Sequence, residues 1–185
     1  ERKEIENYLV DPDIVSKALR NKMPQNYTAL LENAAAKIWR YQAARTALSN
    51  CYKYFQPLEI SFGKKRGKEN YPFPESFTDA ACRQGIENTV DSHLSKNQLV
   101  EKIDVLDTYQ HLLNEFDLGG IRRQYFLYTF SGKDLLWAMN EALKSLGGAI
   151  NFRERVLVGI EESSEDIGTW LPEWQALRQI IQNVA

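Results

Sequence analysis

Apolar residues recur at threes and fours along most of the chain, a spacing that predicts helices packed through one face. The longest such run extends from Tyr27 to Phe55, where Leu31, Ala34, Ile38, Tyr41, Leu48, Tyr52 and Phe55 share one stripe. Arg45 falls on that stripe as well. A charge there needs a carboxylate partner, a water-filled gap, or an aliphatic stem that packs while the head reaches solvent. Upstream, Asp11-Pro12 pairs a capping carboxylate with a proline suited to the first helical position. Ile14, Val15, Ala18 and Leu19 follow at helical spacing, so a short helix is predicted to end near Lys22.

Residues 57–77 break the pattern with Pro57, Gly63, Gly67, Pro72 and Pro74, around a β-like stretch from Leu58 to Phe62. Helical spacing resumes near Thr78 and continues, with a break at Ser95 to Asn97, through Leu99, Ile103, Leu106, Leu113 and Phe116 to Gly119-Gly120. The aromatic run Gln124 to Phe130 reads as a buried strand. Ser131 is placed to cap a helix whose inner face is Leu135, Leu136, Met139, Leu143 and Leu146. Asn151 to Glu161 reads as helix, although Val156 to Ile160 fits a strand too. Pro172 opens a last helix carrying Trp174, Leu177, Ile180 and Ile181. The expected fold class is mainly α, a helical domain with one or two short β-strands and so a minor α+β character.

Composition adds limits. With 185 residues and 43% hydrophobic content the chain can bury one ordinary core. Its net charge of −2 gives no overall field toward nucleic acid or an anionic membrane, so any such contact must be local. No apolar run reaches the roughly 20 residues that span a bilayer. Cys51 and Cys82 lack CxxC spacing and companion histidines, which argues against structural zinc and fits a reducing, cytoplasmic setting. The chain starts at Glu1 inside a charged amphipathic run, as a fragment of a longer protein would.

Candidate chemistry is sparse. His93 and His111 have no partner at metal-ligand spacing, and no GxSxG or HExxH pattern occurs. Gly132-Lys133 is not the end of a phosphate loop, because Leu127 stands where the motif needs glycine and Asp134 follows the lysine. Asp11 and Asp13 have DxD spacing but read better as an N-cap and a first-turn carboxylate. The concentrated positive patch is Lys64, Lys65, Arg66 and Lys68, with glycines that would let a phosphate approach. Arg122-Arg123 is a smaller candidate for nucleic-acid contact.

The opening run is denser in polar groups than a simple helix start requires: Arg2, Lys3, Glu4, Glu6 and Asn7 surround Ile5, Tyr8 and Leu9. RKEIENYLVDPDIV resembles the segment after the DxD strand in TOPRIM domains of OLD-family endonucleases and related anti-phage ATPases. FSGKDLL is similar to a second recurrent element of those proteins, a strand ending in a Gly-Lys turn that opens a helix. Leu171 to Ala185 is similar to their C-terminal end.

The resemblance implies residues 1–10 as a remnant of a TOPRIM metal-site region and residues 11–185 as a helical C-terminal domain. It implies Glu6, with Glu4 as an alternative, as a metal-site carboxylate, and Lys133 as a catalytic lysine offsetting charge on the scissile phosphate. Mg²⁺ or Mn²⁺ would serve the parent protein, a phosphodiester hydrolase acting against foreign DNA. The fragment alone, with too few carboxylates for a tight site, is expected to be inactive and to hold no ion tightly. Implied partners are DNA or RNA, the upstream ATPase and TOPRIM modules and a second copy of the chain, with no membrane. A different reading of the same residues is a non-catalytic helical interaction or dimerisation module, with Trp39, Trp137, Trp170 and Trp174 as interface anchors.

Overall fold

The computed structural model describes residues 4–51, 77–94, 101–146 and 151–184. Its α-helices are α1 (Pro12–Leu19), α2 (Tyr27–Cys51), α3 (Asp79–Leu94), α4 (Lys102–Phe116), α5 (Ile121–Gln124), α6 (Phe126–Thr129), α7 (Gly132–Ser145), α8 (Phe152–Glu161) and α9 (Pro172–Val184). Short 3-10 turns cover Ile5–Val10, Arg20–Lys22 and Ile167–Thr169. The fold is mainly α, and no strand occurs among the described residues. The β-like stretch Leu58 to Phe62, the break at Ser95 to Asn97, and Tyr52 and Phe55 lie outside them.

Two compact units divide the chain: Glu1–Ala36 with Phe126–Ala185, and Lys37–Tyr125. In the first, α1 packs on α8, and the Ile5–Val10 turn packs on α7. Val10, Ile14, Val15, Leu31, Phe130, Leu135, Met139, Phe152 and Val156 are buried in this unit. Each fully covered side chain of that size contributes about 1.5–3 kcal/mol. The α1 start follows the predicted chemistry: the Asp11 carboxylate accepts from the amides of Asp13 at 2.8 Å and Ile14 at 3.2 Å. Tyr27, at the head of α2, donates its hydroxyl to the Val10 carbonyl at 2.9 Å and stacks on Phe152, ring centres 6.0 Å apart. At the C-terminal end, Asp166 pairs with Arg178 of α9 and accepts from the Gly168 amide.

In the second unit α3 packs on α4 and α4 on α5. Cys82, Ile86 and Val90 are buried on α3, as are Val105, Tyr109, Leu112 and Phe116 on α4. Gly119, at φ +86°, makes the turn that ends this pair, a conformation that side-chain-bearing residues adopt rarely. Arg45 is half-buried on the predicted stripe of α2, where Leu31, Ala34, Ile38, Tyr41 and Leu48 are all buried.

The strand expected at Gln124 to Phe130 is instead two helical turns, α5 and α6. The aromatic residues are placed at helical spacing: Phe126 and Phe130 meet edge to face with centres 6.2 Å apart, an i,i+4 contact. Tyr125 and Tyr128 are exposed, so the run lacks the alternating burial of a half-covered strand. Val156 to Ile160 lies within α8, and of these five residues Val156 is buried while Leu157 and Val158 are exposed. One further expectation, the placement of Leu146, shifts. Leu146, expected on the inner face of α7, is 66% exposed, and Ile180 and Ile181 of α9 are exposed as well.

Candidate functional site

The two sequence elements singled out for chemistry meet in space. One oxygen of the Glu4 carboxylate accepts from the Ser131 hydroxyl and from the Lys133 amide, each at 3.1 Å. Glu4 therefore caps α7 from more than a hundred residues away in the chain. Ser131, expected to cap this helix itself, makes no side-chain cap bond and instead donates its hydroxyl hydrogen bond to Glu4. A full negative charge at a helix N-terminus is favoured over a neutral hydroxyl because it meets both the unpaired amides and the helix dipole.

Asn7 completes the join. Fully buried, its Oδ1 accepts from the Glu4 amide at 2.9 Å and its Nδ2 donates to the Phe130 carbonyl at 3.2 Å. Gly132 sits directly beneath. A Cβ there would lie 2.5 Å from the Asn7 nitrogen and 2.8 Å from the Glu6 carbonyl carbon, so only glycine permits the approach. Glu6 and Lys133 thus stand on main-chain segments in contact. Glu6 is half-buried, and Lys133 is exposed. Neither side chain forms a hydrogen bond or ion pair among the described residues.

No group of three or more His, Cys, Asp or Glu side chains is placed to hold a metal ion among the described residues. Glu4 and Glu6 alone do not make a divalent-metal site, since such ions take six or more oxygen ligands. Lys64, Lys65, Arg66 and Lys68 lie outside the described residues. Arg122 pairs with Glu115 at 2.6 Å and lies over the Phe116 ring, and Arg123 is half-buried beside it on α5. His111 is exposed, 3.9 Å from Glu115.

A second polar cluster, between α3 and α4, was not signalled by any motif. Asp79 accepts from Arg83 at 2.7 Å and from the Tyr109 hydroxyl at 3.1 Å, while the Arg83 guanidinium lies 5.6 Å from the Tyr109 ring centre and bonds to Gln110. Its residues are separated by some thirty positions, and only helix pairing brings them together. Cys82 lies beneath. Burial pushes its thiol up from 9.0 to about 11, partly offset by the polar Tyr109 hydroxyl nearby.

A buried thiol held in its protonated form is a poor nucleophile. At pH 8 a thiol reagent is expected to label half-buried Cys51 in the native protein and to reach Cys82 only after unfolding. Equal native rates would contradict this burial. Because the native thiol keeps its proton where the unfolded one loses it, Cys82 adds stability that is complete below pH 9 and lost as the pH rises through about 11.

No described helix is long and apolar enough to cross a membrane. No protein-family model matches the chain, and neither a curated protein nor a solved structure matches it.

Proposed function

We propose that this chain is the helical C-terminal part of a metal-dependent nuclease coupled to an ATPase, acting against foreign DNA. Supporting this reading is the junction between the Ile5–Val10 turn and the start of α7. The two elements that resemble parts of OLD-family nucleases are far apart in sequence and locked together through Glu4, Asn7 and Gly132. Glu4 is occupied as a helix cap. Glu6 is therefore the better carboxylate to lend to a metal site whose remaining ligands come from elsewhere in the protein. Lys133, exposed one residue beyond the junction glycine, is the cation that would face a phosphate.

A bound Mg²⁺ or Mn²⁺ would supply an activated water for phosphodiester hydrolysis. The part of these residues is to hold Glu6 and Lys133 at fixed spacing on two packed elements. In the full-length protein, Glu6→Gln and Lys133→Gln are each expected to lower DNA cleavage by on the order of 100-fold, the scale seen when a ligand-orienting or charge-stabilising group is lost. Wild-type cleavage by both variants, at unchanged helical content, would remove the catalytic assignment.

One observation favours a second reading, a dimerisation module without catalysis. Ile180 and Ile181, consecutive on α9, are 62% and 59% exposed. A dimer in sedimentation equilibrium that is lost on Ile180→Glu, in a protein indifferent to DNA, would favour it.

A further inference from the structure

A groove of about 560 Å³ runs along the packed pair α1 and α8, lined by residues from Ala18 to Lys22 and from Asn151 to Glu162. Three contacts fix its direction. Gly159 of α8 lies against the Ala18 carbonyl, so closely that a Cβ would stand 2.2 Å from the oxygen. Tyr27, beyond Lys22, stacks on Phe152 at the start of α8. Lys17, before Ala18, donates to the carbonyl of Trp170, beyond the end of α8, at 3.1 Å. The segments are therefore antiparallel.

That direction polarises the groove. Arg20 and Lys22 come to the end formed by the first turn of α8, where Arg155 and Asn151 lie, while Glu162 falls at the other end. Two helical turns separate Arg155 from Glu162, roughly 10 Å at 1.5 Å per residue. The remaining carboxylate at the basic end, Glu154, accepts from the Asn151 side chain. Arg20, Lys22 and Arg155 form no ion pair among the described residues, and Arg155 is half-buried. Arg20 is also held at φ +50°, a strained backbone for a residue with a side chain.

We propose that the basic end of this groove binds a phosphate group of a nucleic-acid strand, through Arg20, Lys22 and Arg155. The choice of a strand rests on the nuclease reading; the cation cluster does not. Its residues are not those of the basic loop or Arg122-Arg123, to which the sequence points.

The test is a titration of the purified chain with a fluorescein-labelled single-stranded oligonucleotide in EDTA, at several salt concentrations. Inorganic phosphate and ATP serve as competitors. Lys22→Gln/Arg155→Gln is expected to weaken binding at least tenfold at low salt and to flatten the salt dependence by about two released counterions. Lys144→Gln, which removes a cation paired with Glu141 outside the groove, should bind as wild type. Lys64→Gln/Lys65→Gln provides a control for the loop.

Unchanged affinity in Lys22→Gln/Arg155→Gln at native helical content would overturn the proposal, as would failure of the wild type to bind. Micromolar competition by ATP or phosphate with weak strand binding would overturn the strand and assign the groove to a small phosphate ligand. Loss of cleavage in the Glu6 and Lys133 variants is read on a different assay, so the nuclease reading and this groove can fail independently.

Discussion

Alanine at Gly159 is expected to destabilise the protein by about 2–3 kcal/mol, the upper part of the range for overpacking a tight contact. Helix propensity alone points the other way, because alanine in a helix interior is favoured over glycine by about 1 kcal/mol. The sign is decided by the neighbour. The new Cβ would stand 2.2 Å from the Ala18 oxygen and 2.7 Å from its carbon, both main-chain atoms of α1 that no rotamer change can move. To relieve the clash α1 and α8 must separate, which loosens Ile14, Val15 and Val156 together. Urea denaturation of the purified chain measures this. A variant as stable as wild type, or more so, would mean that the two helices do not approach this closely.

Removing the Asn7 side chain should cost about as much, for a different reason. Asn7→Ala takes one hydrogen bond each from the Phe130 carbonyl and the Glu4 amide at a largely buried junction, and each such loss costs about 1–3 kcal/mol. A total near 3 kcal/mol is expected, with Asn7→Asp little better, since a carboxylate has no hydrogen to give the Phe130 carbonyl. Hydrogen exchange supplies a second readout: the amides in the first turn of α7 should lose protection before those of α4. A change below 1 kcal/mol would show the junction to be peripheral to stability.

The helices that the sequence makes legible are those whose signals are local. Asp11-Pro12 places the start of α1 and Gly119-Gly120 the turn after α4, because a cap and a turn need only a few adjacent residues. The run QYFLYTF misleads because aromatic residues favour strands on average, whereas here Phe126 and Phe130 sit one helical turn apart and cover each other. Glu4 and Lys133 are both visible as candidates, yet their meeting is not. Nothing local to either says that Glu4 will cap α7 or that Gly132 exists to let Asn7 in. The Asp79, Arg83 and Tyr109 cluster is hidden for the same reason, being made by two helices whose register only packing sets.

The way the chain is divided also bears on the order of assembly. Unit Lys37–Tyr125 is continuous, so its contacts can form as soon as that stretch of chain exists. The other unit is interrupted by it, and the Glu4 and Asn7 bonds wait for residues 130–133. During synthesis from the N-terminus, Ile5–Val10 can meet α1 and the Tyr27 hydroxyl early, whereas its contacts with α7 wait until that helix emerges. Closure over so long an interval carries a loop-entropy cost, so docking of this segment on α7 is expected late in folding.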